Sequence, residues 1–548
     1  MRRRRAKGAV MKLNSRCGLF LLALGFVLSG CGDDEQPKEC KEAEFGQVEM
    51  SFATGNEIYL MAVFTLPEDE AAADELVTFK LDAGGTPSGA LRIQRYHRPS
   101  GAGYDRDYWE ARLAFERERR AGISDLVDTV RSSGKPLMGM MPRQACEPCA
   151  TSTTEMCWQG ACVSSVSVAR VGAAAVNATL AAVVGSGSVK VNVLVDNNVA
   201  ASSAAAVTAA TSFANSISTI LDLMGQSSYA APLDRNGDSR MTVVYTNKLG
   251  GIVGGFDFRD FLSAEGSGNE HDMMWAAVPA VDTMATCPAG GCATSVITQE
   301  LSAGTLVHEM THLINFAVRV YGAGAAPKDN ETLWLDEAMA HLMEDVAGFG
   351  ASNIGTAAVA LDSWSSTTFA GPGDSVAQRG MGYTLLRHII DQESGASDAA
   401  AANAAFKLHD ALVGESERGW QHSIFQNRGA DGVWKWLLAI YATNNTDVTE
   451  TDAQSTAFAD TATVNGQVTG FDPFGSFTDA RGVAIDFSGP NLGDGSTDEI
   501  DDLSEPFESE VASSGGVLYL VKGLDGDVTL TGTGDTCGNL NIRAARVQ

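Results

Sequence analysis

The chain has 548 residues, which at about 150 residues per domain predicts three or four domains and excludes a single small module. Hydrophobic residues at 44% and charged residues at 20% are ordinary for a soluble globular protein and exclude a wholly disordered chain, while 58 glycines point to many turns and loops. With 39 Lys and Arg against 68 Asp and Glu the formal charge is −29, a field that repels phosphate backbones and argues against nucleic acid as a partner.

Residues 1–30 read as an export signal. Seven basic residues up to Arg16, with no acids among them, precede the apolar run Cys17–Leu28, which is short for a membrane-spanning helix. The run ends in Leu28-Ser29-Gly30-Cys31, which resembles a bacterial lipobox. Cleavage before Cys31 and lipidation of that cysteine would leave the protein on a lipid anchor, its one contact with a membrane. Gly32 stands where an Asp would hold a lipoprotein in the inner membrane, so the outer membrane is expected, on its periplasmic face or the cell surface. An ordinary secretory signal with an incidental cysteine is the alternative. Apart from Cys17 and Cys31, eight of the ten cysteines remain, an even count that points to disulfides in an exported chain. Cys146, Cys149, Cys157 and Cys162 superficially resemble a zinc knuckle, but their middle interval is short and the compartment oxidising, which favours disulfides. Cys287 and Cys292 suit a small closed loop, and Cys40 and Cys537 a long-range tie.

Short alternating runs between Phe45 and Lys80, such as Glu57–Thr65, predict strands, and Tyr108–Val130 a charged helix whose run Arg117–Arg120 reads as a solvated face. With the cysteine-rich segment these make an N-terminal β-rich region, residues 31–165. From Val189 the order becomes α/β or α+β, with a strand at Val191–Val195, an Ala-rich helix at Ser203–Met224 and a strand at Arg240–Thr246. Asp234-Arg-Asn-Gly-Asp238 shares alternate oxygen donors with an EF-hand loop but has Ser239 and Tyr245 where that loop needs glycine and glutamate, so a tight turn is predicted. Leu249–Gly255 lacks the spacing of a phosphate loop and reads as a flexible loop, a candidate cleft wall, and Asn269–Val278 as an edge strand. Beyond Glu300, apolar residues at helical spacing predict helices over Glu300–Val320, Glu331–Val346, Met381–Gln392, Ala401–Val413 and Gly432–Ala442. Residues 470–548 read as a C-terminal β-rich domain with strands at Gly516–Val521 and Asp527–Thr531 and an acidic linker at Asp494–Glu510.

The first of those helices contains His308-Glu-Met-Thr-His312. At 3.6 residues per turn the two histidines lie one above the other, so both imidazoles can meet one ion. Glu309 sits beside them, placed to take a proton from a water on that ion. Zinc suits such a set, with a further acid and a water completing a tetrahedron; a histidine pair without metal is the bland alternative. The extended pattern with glycine at 315 and a third histidine at 318 is absent, because the chain has Asn315 and Val318, so the third ligand must come from another element. In the next helix Glu337, His341 and Glu344 follow at i, i+4 and i+7 on one polar strip, and the Tyr321–Asn330 loop is long enough to turn that helix back antiparallel. Glu337 is the expected ligand and His341 the alternative. Tyr383, after the glycine-rich turn at Gly380–Gly382, is the first candidate for a donor to the developing oxyanion, with His388, His341 and His271 behind it.

His308–Phe316 followed by Trp334-Leu-Asp-Glu337 resembles the hyicolysin family of bacterial zinc metallopeptidases, whose pattern pairs H-E-x-x-H-x-I-N with a downstream W-L-x-E. Asn269-Glu-x-Asp-Met273 and Asp234-x-Asn-Gly-Asp238 add to a likeness that covers roughly residues 190–445. The resemblance implies a gluzincin: an α+β, zincin-type metallopeptidase domain over residues 185–450, with a mixed sheet, active-site helices and a helical C-terminal subdomain, flanked by the two β-rich regions. It implies His308, His312 and Glu337 as ligands of one Zn2+ and Glu309 as general base of an endopeptidase acting on extracytoplasmic proteins or peptides. His341 departs from the pattern, since gluzincins often carry there a carboxylate that hydrogen-bonds a ligand histidine. The rival reading is a binding or adhesive surface lipoprotein that keeps the zincin fold without turnover, against which the intact Glu309 argues. A structural zinc site would need a fourth protein ligand.

Overall fold

A computed structural model describes most of residues 42–548; outside the described residues lie 1–41 and internal stretches, the longer ones being 67–75, 85–91, 96–105, 135–148, 224–231, 281–295, 395–413, 488–498 and 501–506. The expected signal, Cys31, Cys40, Cys146, Cys287, Cys292, Cys537 and the helix expected over Ala401–Val413 fall outside the described residues.

Strands β1 (Glu42–Phe52), β2 (Ile58–Thr65), β3 (Leu76–Gly84) and β4 (Arg92–Arg95) precede helix α1 (Arg106–Ser133). A hairpin of β5 (Met156–Trp158) and β6 (Ala161–Val163) leads into β7 (Ser165–Arg170), β8 (Ala173–Val184) and β9 (Lys190–Asp196). Helix α2 (Ser203–Leu223) is followed by β10 (Arg240–Tyr245), β11 (Gly254–Gly255) and β12 (Met273–Ala276). Next come α3 (Gln299–Phe316), α4 (Leu333–Glu344), α5 (Ile354–Asp362), α6 (Val376–Ser394) and α7 (Gly429–Ala442). Two ribbons, β13 (Ala462–Val464) with β14 (Gln467–Thr469) and β15 (Ser476–Thr478) with β16 (Ala484–Asp486), precede β17 (Glu499–Ile500), β18 (Phe507–Ala512), β19 (Gly516–Lys522), β20 (Gly526–Asp535) and β21 (Leu540–Arg546). The architecture is α+β, as expected, and among the described residues no helix is long and apolar enough to cross a membrane.

One mixed six-stranded sheet runs in the order β11-β12-β10-β9-β8-β7, with β9, β10 and β12 parallel and the others antiparallel to their neighbours. Val191, Val193 and Val195 of β9 join a core shared with α2 and α3, while Leu194 packs on the other face with Met156, Trp158 and Trp275. Burial on both faces explains why β9 reads as a nearly unbroken apolar run. The sheet begins at Ser165, well ahead of the expected boundary at 185, because Ala-rich β8 offers little hydropathy contrast to mark it. The segment around Met273 is not the sheet's edge. It pairs with β10 on one side and on the other with β11, which the glycine-rich stretch supplies in place of the expected flexible loop.

The two terminal β regions share their sheets instead of standing apart. One sheet has the order β1-β20-β3-β18 and the other β17-β4-β19-β2-β21, so strands from both ends of the chain alternate. Met61, Val63, Phe79, Tyr519 and Leu530 fill the space between them, and Leu60, Ala62 and Phe64 on the opposite face of β2 enter the helical core. A strand's hydropathy records its burial and not its partner, so the sequence pattern does not reveal this pairing. In the cysteine-rich segment Cys149 is bonded to Cys162, and Cys157 is also in a disulfide, in line with the disulfide expectation. Asp234 accepts from Gly237 N at 2.7 Å and Ser239 N at 3.0 Å, closing the predicted tight turn.

Helix α6 starts at Val376, so Gly380 and Gly382 lie inside it and not in a preceding turn. A Cβ at Gly380 would stand 2.3 Å from Thr356 O of α5, and one at Gly382 2.9 Å from Ala338 Cβ of α4. The glycines are sites of close helix approach, and that tertiary demand outweighs their poor helix propensity.

Candidate metal centre

Helix α3 is capped by Thr298, whose side chain accepts from Leu301 N at 3.0 Å. It packs antiparallel to α4: His308 meets Glu344, His312 meets Asp336 and Glu337, and Asn315 meets Asp336. Ascending positions on one helix therefore face descending positions on the other.

His308 Nε2 lies 3.2 Å from Glu337 Oε2, and His312 Nε2 lies 3.5 Å from Glu337 Oε1. Donors about 2.0–2.1 Å from a common tetrahedral ion are about 3.3–3.4 Å apart, so this spacing suits one small cation. Ligand atoms of His308, His312 and Glu337 all lie within 4.8 Å of one another, and the three residues could hold a metal ion. His312 Nε2 and Glu337 Oε1 are buried without a hydrogen bond, a costly state unless a cation takes them up.

The outer nitrogens are held by carboxylates. His308 Nδ1 donates to Glu344 Oε1 at 2.6 Å, and His312 Nδ1 faces Asp336 Oδ2 at 3.0 Å. Such partners fix the ring orientation and leave Nε2 for the ion. Asn315 Nδ2 donates to Asp336 Oδ1 at 2.5 Å, and Ser352 Oγ donates to Glu344 Oε2. Burial alone would raise both carboxyls; His312, Arg119 and Arg120 instead hold Asp336 well below the usual range, and His308 and His341 hold Glu344 at about 2. Glu344, one turn after His341, thus supplies a carboxylate to the His308 ring. His341 itself belongs to a second group, His308–His341–Glu344, whose members are already joined through Glu344, and its Nδ1 lies 2.8 Å from Asn353 Oδ1.

Glu309 is fully buried, and Phe256 N donates to its Oε2 at 2.8 Å. Strand β11 passes so close to α3 that a Cβ at Gly254 would lie 2.5 Å from Thr305 Cγ2 and 3.8 Å from Glu309 Cγ. Only glycine lets the sheet edge run against the helix there.

Tyr383 is placed elsewhere. Its hydroxyl is hydrogen-bonded with Asp345, its ring meets Phe471 edge-on, and burial together with the Asp345 charge pushes it well above the usual phenol range. His388 contacts Thr456 O, and His271 lies between Thr242 and Asn236, next to the Asp234 turn. The structure therefore brings none of Tyr383, His388 and His271 into the His308–His312–Glu337 group.

Three cations with no signal in the local sequence reach Glu337 or the Asp336 beside it. Arg379, one turn before Tyr383, sets Nη1 2.5 Å from Glu337 Oε2. From α1, Arg119 Nη2 lies 3.2 Å from Asp336 Oδ2 and 3.9 Å from Glu337 Oε1, and Arg120 Nη1 lies 3.7 Å from Asp336 Oδ2. Arg119 is 2% exposed, so the run Arg117–Arg120 is not simply a solvated face. Its partners lie more than two hundred residues away, and no local signal could have named them. No known family, curated protein or solved structure matches the chain.

Proposed function

We propose that the protein is a zinc-dependent endopeptidase, resembling the hyicolysin family, that hydrolyses peptide bonds of extracytoplasmic proteins. The observation that carries this reading is the buried pair His312 Nε2 and Glu337 Oε1, without hydrogen bonds and beside His308 Nε2, on a helix that also bears Glu309. His308, His312 and Glu337 would hold the ion, which when bound polarises the scissile carbonyl and acidifies the attacking water. Glu309, steadied by the Phe256 N–H, accepts that water's proton and passes it to the leaving amine. Asp336 and Glu344 keep the two imidazoles turned inward. Strand β11 is the wall along which an extended peptide lies.

The two histidines, Glu309 and Glu337 are 0–2% exposed. Leu28–Cys31 supports export and a lipid anchor at Cys31, with the outer membrane as destination.

The test is zinc content and casein cleavage by the mature soluble chain, beside Glu309→Gln, which keeps the ligands and loses the base. Wild type that binds about one zinc and cleaves, with a variant that binds and does not, supports the reading. If both bind zinc and neither cleaves casein or a diverse peptide library, the binding-lipoprotein reading replaces it.

A further inference from the structure

Helix α6 packs closely on α5 at Gly380 and on α4 at Gly382, and that packing carries Arg379, immediately before the first of them, onto the third candidate ligand. The Arg379 guanidinium is spread over two carboxylates. Nη1 lies 2.5 Å from Glu337 Oε2, while Nε and Nη2 donate to Asp374 Oδ1 and Oδ2 at 2.7 and 3.0 Å. Arg379 is 1% exposed and Asp374 7%, so the pair has no room to swing into solvent. A planar fork bound at two edges is a rigid support, with its orientation set before any ligand arrives.

The two oxygens of Glu337 are consequently unequal. Oε2 accepts from Arg379 and also lies 3.2 Å from His308 Nε2, whereas Oε1 makes no hydrogen bond, lies 3.5 Å from His312 Nε2 and has Arg119 Nη2 at 3.9 Å, beyond hydrogen-bond reach. We propose that Arg379, anchored by Asp374, is a positioning residue of the metal centre that holds Glu337 by Oε2 so that Oε1 is the oxygen offered to the ion. This rests on the metallopeptidase reading of the same site. Freezing a glutamate side chain costs rotamer entropy, and the Arg379–Asp374 pair meets that cost in the folded protein, before the ion binds. A lysine cannot replace it fully, because an ammonium on a flexible stem cannot fork between two carboxylates.

The test measures zinc affinity by chelator competition, and the visible spectrum of the cobalt-substituted protein, for the full mature chain and its R379A, R379K and D374N variants. R379A is expected to weaken zinc binding by roughly 10–100-fold and to alter the cobalt spectrum. R379K should recover part of the affinity, and D374N, which keeps the guanidinium but loosens its anchor, should fall between wild type and R379A. Unchanged affinity and spectrum in folded R379A overturn the proposal; so does tighter zinc binding, which would make the guanidinium merely a repelling charge. Should R379A fail to fold, wild-type binding by both R379K and D374N overturns it equally. A wild type that binds no zinc removes the metallopeptidase reading itself, whereas zinc-binding wild type with unaffected variants removes only the role of Arg379.

Discussion

Asn315 Nδ2 donates to Asp336 Oδ1 at 2.5 Å, and the other oxygen of Asp336 faces His312 Nδ1 at 3.0 Å. One carboxylate thereby joins the asparagine of the H-E-x-x-H-x-I-N segment to a candidate ligand one turn earlier on the same helix. The same carboxylate also faces Arg119 and Arg120. Asp336→Asn is therefore expected to weaken zinc binding by roughly 10–100-fold, since the ring of His312 loses its charged support. It should also lower the thermal midpoint of the metal-free protein, because two guanidiniums lose their shared counter-charge. Asn315→Ala keeps that charge and should have the smaller effect on both. Chelator competition and thermal unfolding read the two effects separately, and equal zinc affinity in wild type and Asp336→Asn would contradict the role given to Asp336.

Tyr383 makes a sharper case because its expected and observed positions differ. With its hydroxyl on Asp345, which also binds Arg387 at 2.8 Å and Gly470 N at 2.9 Å, Tyr383→Phe removes one structural hydrogen bond. The expected cost is about 1 kcal/mol of stability, with kcat on a peptide substrate changed by less than a few-fold. A fall in kcat of about a hundredfold at constant KM would instead show that the hydroxyl leaves Asp345 and meets the transition state.

The pair His308 and His312 was legible because a motif on one helix reports its own geometry: the 3.6-residue period puts both rings on one face, and the structure keeps them there. Glu337 was legible for a related reason, since i, i+4, i+7 spacing exposes a polar strip within a second amphipathic helix. Arg119 was not, because a charged run looks solvated until the element that buries it is known, and Asp336 lies far away in sequence. The glycines at 380 and 382 misled in the opposite direction: low helix propensity suggested a turn, whereas the packing of α6 on α4 and α5 required residues without a Cβ. The alternation of N- and C-terminal strands in two sheets was hidden because neither strand pattern names its partner.

Gly380→Ala tests that packing. The new methyl carbon would stand 2.3 Å from Thr356 O and 2.8 Å from Ala360 Cβ, so α6 must shift away from α5. Overpacking of this kind costs about 1–3 kcal/mol, seen as a lower thermal midpoint. Because Arg379 is the preceding residue, zinc affinity should fall in parallel. A stability loss with unchanged zinc affinity would mean that the shift is absorbed within α5.

Glu300, in the first turn of α3, couples that helix to the segment carrying Asp479, and Thr298 Oγ1 donates to Ala480 O at 2.7 Å beside it. Burial, reinforced by the Asp479 charge, pushes its carboxyl from 4.5 up to about 7. The folded protein therefore holds a proton that the unfolded chain has released between about pH 4.5 and 7. Over that window stability falls as pH rises, and the loss is complete once the pH has passed through 7. Glu300→Gln, which stays neutral, should be more stable than wild type at pH 8 by up to about 3 kcal/mol. At pH 5 the advantage should shrink, because most of the folded wild type then carries the proton. Urea unfolding of both proteins at pH 5 and 8 measures this directly, and a stability difference of the same size at both pH values would refute the assignment of the shift to Glu300.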